Sequence, residues 1–404
     1  MYHPRIAEKI LTQASHQYPV VLVCGPRQVG KTTLLKHLAE NNRKYVSLDD
    51  PFIRALAQND PQLFLKQYKA PLLIDEIQYA PALLPYIKMT VDETGQKGAY
   101  WLTGSQQFQL MKGVSESLAG RIAIVNLLGF SRAELHGAPF SDAPFIPGQG
   151  EGSRIPAVSA DTLYKEMLDG YFPAVVDESG FNRDLYYSSY LQTYLQRDVR
   201  DLTQVGDLSV FTTFIRACAA RTGQLLNIHD IARDAGITDI TARKWLSILE
   251  AGFIIYLLQP WHSNLTKRLI KTPKLYFFDT GLCAWLTGYS TPETLFSGAL
   301  SGALFETLAV TELIKSWWFR GKTPPVYFYR DRDGVEIDVV LDLEGKLHPL
   351  EIKRSASVSP DWVSSFVKIG KVHERTNGDV LCLVDQPMTV NDYGDRVIPV
   401  SMVS

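Results

Sequence analysis

The chain has 404 residues, of which 46% are hydrophobic and 21% are charged, and its formal net charge is −2. This length predicts two or three domains, and the composition is ordinary for a soluble globular protein. The near-neutral charge excludes attraction to nucleic acid through overall charge, so any DNA-binding surface has to be a local basic patch.

Cysteine use and hydropathy bear on location. The four cysteines, Cys24, Cys218, Cys283 and Cys382, lack metal-ligand spacing and are predicted to be reduced. The amino terminus lacks the apolar core of a signal peptide, and no run reaches the ~18 apolar residues that span a bilayer. We therefore expect a cytoplasmic protein with no membrane contact.

Strand-like and helix-like segments alternate from residue 19 to about residue 128. This alternation predicts an α/β fold in which helices cover a parallel sheet. The predicted strands span residues 20–24, 45–48, 71–75, 99–103 and 122–127.

The first predicted strand leads into a phosphate loop. The segment Gly25-Pro26-Arg27-Gln28-Val29-Gly30-Lys31-Thr32 fits G-x-x-x-x-G-K-[ST], and a helical pattern follows from Thr32 to Glu40, with Thr33 as a further candidate for nucleotide binding. Strand, loop and helix are the context that this motif requires. Main-chain amides of the loop and the helix amino terminus can bind phosphates, Lys31 can reach the β- and γ-phosphates, and Thr32 can bind Mg²⁺. We predict ATP and Mg²⁺ as cofactors.

The apolar strand predicted over residues 71–75 leads into two adjacent carboxylates, Asp75 and Glu76. After a phosphate loop, Asp75 is expected to assist Mg²⁺ binding, through water or through the Thr32 hydroxyl. Glu76 is expected to polarise the water that attacks the γ-phosphate. A strand-like segment lies between the loop and Asp75, an arrangement typical of ATPases that have an added sheet strand and a catalytic glutamate.

Two further positions are candidates for catalysis. Ser105, or alternatively Thr103, lies at the end of the next strand and could contact the γ-phosphate or orient water. A turn built on Gly104 explains these residues equally well. Arg121 follows a glycine before the next strand, where it either stabilises the transition state, in cis or across a subunit interface, or lies on the surface.

The rest of the chain divides by composition. We predict an ATPase domain over residues 1–137, a Pro/Gly/Ser-rich linker or long loop over 138–160, a helical and winged-helix domain over 161–270, and an α/β domain over 271–404. Strands are expected in the last domain near residues 326–330, 335–341, 347–353 and 380–384.

Residues 227–258 have the spacing of a helix-turn-helix followed by a wing. A helix over 229–235 and a second over about 239–251 are predicted, the second with Ile240, Trp245, Ile248 and Leu249 buried. The exposed candidates for DNA binding are Thr241, Arg243 and Lys244, followed by the basic cluster Lys267, Arg268, Lys271 and Lys274. A role as a lid or protein contact stays open.

Three residues near the carboxyl terminus form a nuclease-like pattern. Glu351 and Lys353 project from one face of a predicted strand, and Asp338 lies on the strand before it. If these strands pair, Asp338 and Glu351 can bind one divalent cation, with Lys353 beside the attacking water and Glu306 as a further ligand. The alternative is a degenerate fold used for contacts, in which Lys353 neutralises the carboxylates without metal. The pattern resembles the PD-(D/E)XK nuclease fold.

Residues 19–137 resemble the AAA-type module of a large bacterial and archaeal ATPase family. The matching segments are residues 25–33, 75–78, 102–105 and 118–121. In that family the module is followed by a C-terminal domain of unknown function with a winged helix and a restriction-endonuclease-like fold. Residues 194–199 resemble the lead-in to that domain, so the resemblance covers nearly the whole chain.

Three functions stay open. The first is an ATPase that acts on duplex or branched DNA and binds or cuts it with the C-terminal domain. The second is a nucleotide-dependent switch that signals to or assembles with a protein partner. The third is a ring-forming DNA motor without cleavage, an oligomer that requires Arg121 or Arg197 to act across an interface.

Overall fold

The structure is a computed structural model that describes residues 2–105, 114, 117–149, 155, 158–176, 181–194, 208–263 and 272–403. The Arg197 candidate and the basic residues Lys267, Arg268 and Lys271 lie outside them.

The amino-terminal part contains a five-stranded parallel sheet, as predicted. Its strand order is β2-β3-β4-β1-β5. The strands are β1 (Val20–Cys24), β2 (Lys44–Ser47), β3 (Leu72–Asp75), β4 (Tyr100–Gly104) and β5 (Ile122–Asn126). Every residue of β1 and β4 is buried. Strands covered on both faces require continuous apolar runs, and these runs made the sheet predictable.

Helices cover this sheet: α1 (Ala7–Gln17), α2 (Lys31–Leu38), α3 (Pro51–Asn59), α4 (Pro61–Gln67) and α5 (Leu83–Thr94). The starts of α3 and α4 follow from the sequence. In each, a proline at the first turn follows an aspartate, Asp50 or Asp60, whose carboxylate accepts hydrogen bonds from main-chain amides of that turn.

A helical segment follows: α6 (Arg132–Leu135), α7 (Ala160–Asp169), α8 (Pro173–Val176), α9 (Arg183–Tyr194), α10 (Leu208–Ala219), α11 (Ile228–Ala235) and α12 (Asp239–Ala251). Helices α11 and α12 form the predicted helix-turn-helix. Gly236 ends α11 in the left-handed region (φ 67°), and the Thr238 hydroxyl accepts from the main-chain amide of Thr241 at the start of α12.

The prediction that Ile240 is buried is wrong, because its side chain is 70% exposed. The buried face of α12 consists of Ala242, Trp245, Leu246, Ile248 and Leu249. These residues are spaced so that they lie on one face of the helix. Ile240 lies two residues before Ala242, so its side chain points about 200° away from that of Ala242, toward solvent.

A small antiparallel sheet follows the two helices. Its order is β6-β8-β7, with β6 (Gln224–Leu225), β7 (Ile255–Leu258) and β8 (Lys274–Phe277). Tyr256 pairs with Tyr276 in the centre of the β7–β8 ladder. Strand β8 therefore belongs to the sheet beside the helix-turn-helix, whereas the predicted domain division at residues 270 and 271 separates it from β7.

The carboxyl-terminal part contains a six-stranded mixed sheet in the order β13-β14-β12-β11-β10-β9. The strands are β9 (Val326–Arg330), β10 (Glu336–Leu343), β11 (Lys346–Ile352), β12 (Asp379–Cys382), β13 (Met388–Thr389) and β14 (Arg396–Pro399), and the helices are α13 (Thr280–Leu286), α14 (Pro292–Ser297), α15 (Ser301–Trp318) and α16 (Ser364–Ile369). The whole chain is thus α/β, as predicted. Helix α15 is buried on nearly all sides, which explains its apolar composition.

The parts are packed together. Buried apolar side chains of the five-stranded sheet, the helical segment and α15 belong to one hydrophobic core, and a second cluster lies between the six-stranded sheet and α16. The predicted linker contacts the carboxyl-terminal part: Trp317 Nε1 donates to the Phe145 carbonyl (3.1 Å) and Gly148 N to Asp379 (2.7 Å). All four cysteines are free and buried. In the described part of the chain, helices that combine the length and apolarity needed to span a membrane are absent.

Candidate functional site

The phosphate loop lies between the end of β1 and the start of α2, as its sequence predicts. Gly25 approaches the main chain of Leu127 so closely that an added Cβ would lie 1.9 Å from the Leu127 carbonyl oxygen. Gln28 and Gly30 adopt left-handed backbone conformations, with φ of 62° and 87°. Glycine tolerates both the close approach and the positive φ, so the two motif glycines are needed to shape the loop.

The Lys31 side chain crosses this loop. Its ammonium donates to the carbonyls of Gly25 (3.0 Å) and Pro26 (2.7 Å). Burial lowers the pKa of Lys31, and Glu76 opposes that shift. Because both partners of the Lys31 ammonium are loop carbonyls, its positive charge lies within the loop, where it can attract an anionic phosphate. Among the other motif residues, Arg27 is half-buried, Val29 is buried and Thr33 is exposed.

Asp75 meets Thr32 at the edge of the sheet. The Thr32 hydroxyl donates to Asp75 Oδ1 (2.6 Å), and the Tyr45 hydroxyl donates to Oδ2 (3.0 Å). The Thr103 hydroxyl also donates to Asp75 Oδ1. Hydroxyl and carboxylate oxygens are the hard ligands that Mg²⁺ prefers, so Thr32 and Asp75 fit the predicted Mg²⁺ site.

Glu76 has an unusual backbone conformation beside that site, in the left-handed region (φ 58°, ψ 48°). Its main-chain amide donates to Thr103 Oγ1 (3.0 Å), and its carboxylate accepts from Ser105 Oγ (3.3 Å) and from Gln78 Nε2. Non-glycine residues in this region are often found where function requires a fixed side chain. Sequence analysis did not select Gln78, although its position two residues after Glu76 is a local signal.

The structure brings both strand-end candidates to the carboxylates. Thr103 contacts Asp75, whereas Ser105 contacts Glu76 and accepts a hydrogen bond from Gln78 (3.2 Å). Both side chains are buried. Their hydroxyls therefore orient Asp75 and Glu76.

Arg121 lies apart from these residues. Its carbonyl accepts from the amide of Val20, at the start of β1, whereas the phosphate loop follows the end of that strand. A five-residue strand is about 16 Å long, so Arg121 lies at the opposite edge of the sheet. Its guanidinium pairs with Asp92 (2.5 and 3.0 Å) on the surface. In this arrangement Arg121 is not placed to act on its own phosphate loop.

The nuclease-like residues Asp338, Glu351 and Lys353 come together on neighbouring strands β10 and β11. Asp338 Oδ2 accepts from the amide of Ile352 (2.9 Å), and Lys353 Nζ contacts Glu351 Oε1 (2.5 Å) and Asp338 Oδ2 (3.8 Å). This is the lysine-neutralised arrangement that was the alternative to a metal site.

Lys274 adds a second ammonium to this group. It lies 3.1 Å from Glu336, 3.4 Å from Glu306 and 3.8 Å from Asp338. Tyr276 also donates to Glu306 (2.6 Å). We call Lys274, Glu306, Glu336, Asp338, Glu351 and Lys353 the carboxylate–lysine cluster. The prediction that Lys274 belongs to an exposed DNA-binding cluster is wrong, because its side chain is only 6% exposed and its charge is directed to carboxylates.

Burial and the neighbouring charges both shift the pKa values of this cluster. Burial, with the charge of Asp338, raises the pKa of Glu306 to about 7 and that of Glu351 to about 8. Burial alone would lower the pKa of Lys274, but the carboxylates of Glu306, Asp338 and Glu336 raise it above its ordinary value. Both ammoniums therefore remain charged beside partly protonated carboxyls.

The cluster does not fit the predicted second cation in this arrangement. Across the described residues, no three His, Cys, Asp or Glu side chains are grouped so as to hold a metal ion. Two ammonium groups already contact the carboxylate oxygens that a cation would need.

Comparison with known proteins agrees with an ATPase domain of the AAA type. The sequence matches an AAA domain family over residues 17–136, a domain of unknown function (DUF8612) over 160–293 and another (DUF4143) over 301–403. Two proteins named uncharacterized, Rv2008c of Mycobacterium tuberculosis and Mb2031c of Mycobacterium bovis, are each 30% identical over 370 residues, which is 90% of this chain and 77% of theirs. The chain belongs to this family of AAA-type ATPases.

Solved structures that are similar to this AAA-type ATPase include a Walker-type ATPase of Pyrococcus abyssi (PABY2304). It has 16% identity and a TM-score of 0.42, over 69% of this chain and 94% of that one. A DNA replication initiation factor has 13% identity and a TM-score of 0.26, over 61% and 86%. A signal transduction ATPase of Pyrococcus horikoshii (PH0952) has 12% identity and a TM-score of 0.27, over 76% and 44%.

The second helix of the helix-turn-helix, α12, has two neighbouring basic residues on its surface. Arg243 and Lys244 are exposed on α12, whereas Thr241 is half-buried and its hydroxyl lies 3.0 Å from that of Thr238. The Thr241 side chain therefore contacts the residue that caps the start of the helix, unlike those of Arg243 and Lys244.

Proposed function

We propose that this ATPase hydrolyses ATP with Mg²⁺ and couples hydrolysis to a nucleic-acid transaction. The observation that carries the proposal is the direct contact of Thr32 with Asp75 (2.6 Å), immediately before Glu76 in its left-handed conformation. This contact joins the phosphate loop to Asp75, and Glu76, the second carboxylate that the reaction needs, is the next residue.

Each residue has a defined role in this proposal. Lys31 and the loop amides bind the phosphates, and Thr32 and Asp75 bind Mg²⁺, directly or through water. Bound Mg²⁺ supplies positive charge at the phosphate oxygens. Glu76 polarises the attacking water, and Ser105 and Gln78 hold its carboxylate in one orientation.

Nucleic acid would bind through a winged helix made of α11, α12 and the β7–β8 hairpin. The support is the pair Arg243 and Lys244, which are both exposed on one turn of α12. The experiment that tests this function is ATP hydrolysis with Mg²⁺, measured without DNA and with duplex or branched DNA. Stimulation by DNA supports the coupling, and unchanged hydrolysis contradicts it.

A second candidate function is a nucleotide-dependent switch that acts on a protein partner and has an inert nuclease-like domain. The carboxylate–lysine cluster favours it, because Lys274 and Lys353 neutralise the carboxylates that a nuclease would use for metal. Absence of DNA stimulation, together with absence of cleavage in Mg²⁺ or Mn²⁺, would favour the switch.

A further inference from the structure

Arg5 lies behind the phosphate loop, buried to 4% exposure. Its Nη1 donates to the carbonyl of Val29 (3.0 Å) and its Nη2 to the carbonyl of Leu128 (2.8 Å). Its Nε forms an ion pair with Glu134 at 3.1 Å. A planar guanidinium held by three groups has one orientation, so Arg5 fixes the loop against the segment that follows β5.

The contact with Val29 determines the direction of one main-chain amide. Because a trans peptide is planar, the Val29 carbonyl and the Gly30 N–H point in opposite directions. Arg5 holds the carbonyl, so the N–H of Gly30 points away from the buried guanidinium. Amides of this loop bind phosphate when they are turned to its open side. Arg5 thus acts on the phosphate site through the Val29–Gly30 peptide.

The Arg5 guanidinium also packs against two phenylalanine rings, one of which, Phe319, belongs to the carboxyl-terminal part of the chain. The guanidinium carbon lies 4.7 Å from the ring centre of Phe130 and 5.5 Å from that of Phe319. Phe319 is fully buried and directly follows α15. One side chain therefore touches both the phosphate loop and the domain that contains the carboxylate–lysine cluster.

Helix α15 makes two further contacts with the segment that follows β5, the segment that Arg5 contacts at Leu128. Lys315 Nζ donates to the carbonyl of Phe130 (2.8 Å), and Glu312 accepts from the amide of Arg132 (2.8 Å). Glu306 of the cluster lies on this helix. A shift of α15 would move the segment against which Arg5 holds the loop.

We propose that Arg5 is a positioning residue of the phosphate loop, and that through Phe319 it couples nucleotide affinity to the docking of the carboxyl-terminal domain. This inference rests on the proposed ATP site. Arg5→Lys keeps the charge but cannot donate to two carbonyls in the same fixed geometry, so the Kd for MgADP should rise about tenfold. Phe319→Leu should raise it about threefold, because the guanidinium then packs against only one aromatic ring.

Arg43 provides a matched control. The side chains of Arg5 and Arg43 are each 3% exposed. Arg43 also donates to a main-chain carbonyl, that of Gly98 (2.8 Å), and lies over a ring, that of Trp101 (3.9 Å). Arg43 directly precedes β2, so it lies at the amino-terminal ends of the parallel strands, whereas the phosphate loop lies at their carboxyl-terminal ends. Phe305→Leu is the control for Phe319→Leu, since Phe305 is also fully buried and lies on α15.

The test is calorimetric titration of MgADP into the full chain, with urea unfolding of each variant and kcat and KM for ATP. We expect Arg5→Lys to raise Kd and KM together with a smaller change in kcat, whereas Arg43→Lys loses stability without a change in Kd. Wild-type Kd in Arg5→Lys would overturn the positioning role, and wild-type Kd in Phe319→Leu would overturn the coupling. If the wild type does not bind MgADP, the proposed ATP site is overturned as well. If the wild type binds MgADP and Arg5→Lys has the same Kd, only the positioning role of Arg5 is overturned.

Discussion

Thr32 and Asp75 are 43 positions apart in the chain, yet the Thr32 hydroxyl donates a 2.6 Å hydrogen bond to the Asp75 carboxylate. The contact joins the first turn of α2 to the last residue of β3. Because the strands are parallel, their carboxyl ends lie at one edge of the sheet, where Thr103 and Ser105 at the end of β4 also reach the two carboxylates. The candidate catalytic residues of the ATPase domain therefore meet at that edge, with the exception of Arg121.

Removal of the Lys274 ammonium should destabilise the carboxyl-terminal domain. Lys274→Met leaves Glu306, Glu336 and Asp338 without their shared cation, and loss of one partner of a buried ion pair costs about 3 kcal/mol. The free energy of unfolding in urea measures the change. Lys9→Met is the control, because the pair of Lys9 with Asp142 is exposed (60% and 80%), and we expect its effect to stay within about 0.5 kcal/mol. Equal effects of the two substitutions would contradict the importance of the cluster.

The same cluster should not bind Mn²⁺ in the wild-type protein without nucleotide. Lys274 and Lys353 contact the carboxylates that Mn²⁺ would require, and Lys274→Met should create affinity by freeing Glu306 and Asp338. Titration of Mn²⁺ into wild type, Lys274→Met and Asp338→Ala measures this. Site-specific binding to the wild type that is lost in Asp338→Ala would restore the prediction of a second cation.

Stability should fall as the pH rises from mildly acidic to mildly alkaline. The pKa of Glu351 is raised to about 8 and that of Glu306 to about 7 in the folded protein. The folded state therefore binds more protons than the unfolded state between the ordinary carboxyl pKa and these values, and the stabilisation present at low pH is lost through pH 7 to 8. Glu351→Gln should flatten the dependence of the unfolding free energy on pH from 6 to 9. An identical slope in wild type and variant would contradict the raised pKa.

DNA affinity should depend on α12. Arg243→Glu/Lys244→Glu reverses two exposed charges, and the removal of each interaction with a phosphate should lower the slope of log affinity against log salt by about one. Fluorescence anisotropy with a labelled duplex at several salt concentrations measures both affinity and slope. Arg233→Glu is the control, since Arg233 is exposed on the neighbouring helix and pairs with Asp230. A double variant that binds as tightly as wild type would remove α12 from the DNA-binding surface.

Arg121 should act, if the ATPase oligomerises, on the phosphate loop of a neighbouring subunit. Its side chain is half-buried on the surface, at the edge of the sheet opposite its own loop. We expect Arg121→Ala to lower ATP hydrolysis at least tenfold, and a mixture with Lys31→Ala to regain activity because mixed interfaces combine an intact loop with an intact arginine. Normal hydrolysis by Arg121→Ala would identify Arg121 as a surface residue paired with Asp92.

Contiguous sequence signals predicted which residues of the candidate nucleotide site come together. The loop from Gly25 to Thr32 and the pair Asp75–Glu76 are each short, and the ends of parallel strands bring them together without further information. The hairpin of β10 and β11 likewise made the meeting of Asp338 and Glu351 predictable. The five-stranded sheet was predictable because its buried strands are uninterrupted apolar runs.

Contacts between residues that belong to no local motif were not predictable. Arg5 contacts Leu128 across 123 positions, and no pattern near either residue indicates the other. Lys274 was assigned to a basic surface cluster because other basic residues lie near it in the sequence. Its strand, β8, pairs with β7, and the Lys274 ammonium is directed to Glu306. Ile240 is apolar yet exposed, because helical phase rather than residue type decides which side of α12 is buried.

The most direct test of the account is the behaviour of Glu76→Gln with ATP and Mg²⁺. The neutral amide retains the shape of the side chain and the main-chain contact with Thr103, but it cannot polarise the attacking water. Single-turnover hydrolysis and equilibrium binding of ATP should be measured for wild type, Glu76→Gln and Lys31→Ala. We expect Glu76→Gln to bind MgATP with wild-type affinity and to hydrolyse it at least a hundredfold more slowly, whereas Lys31→Ala should lose both binding and hydrolysis. Hydrolysis by Glu76→Gln at the wild-type rate would contradict the assignment of Glu76 and the proposed mechanism with it.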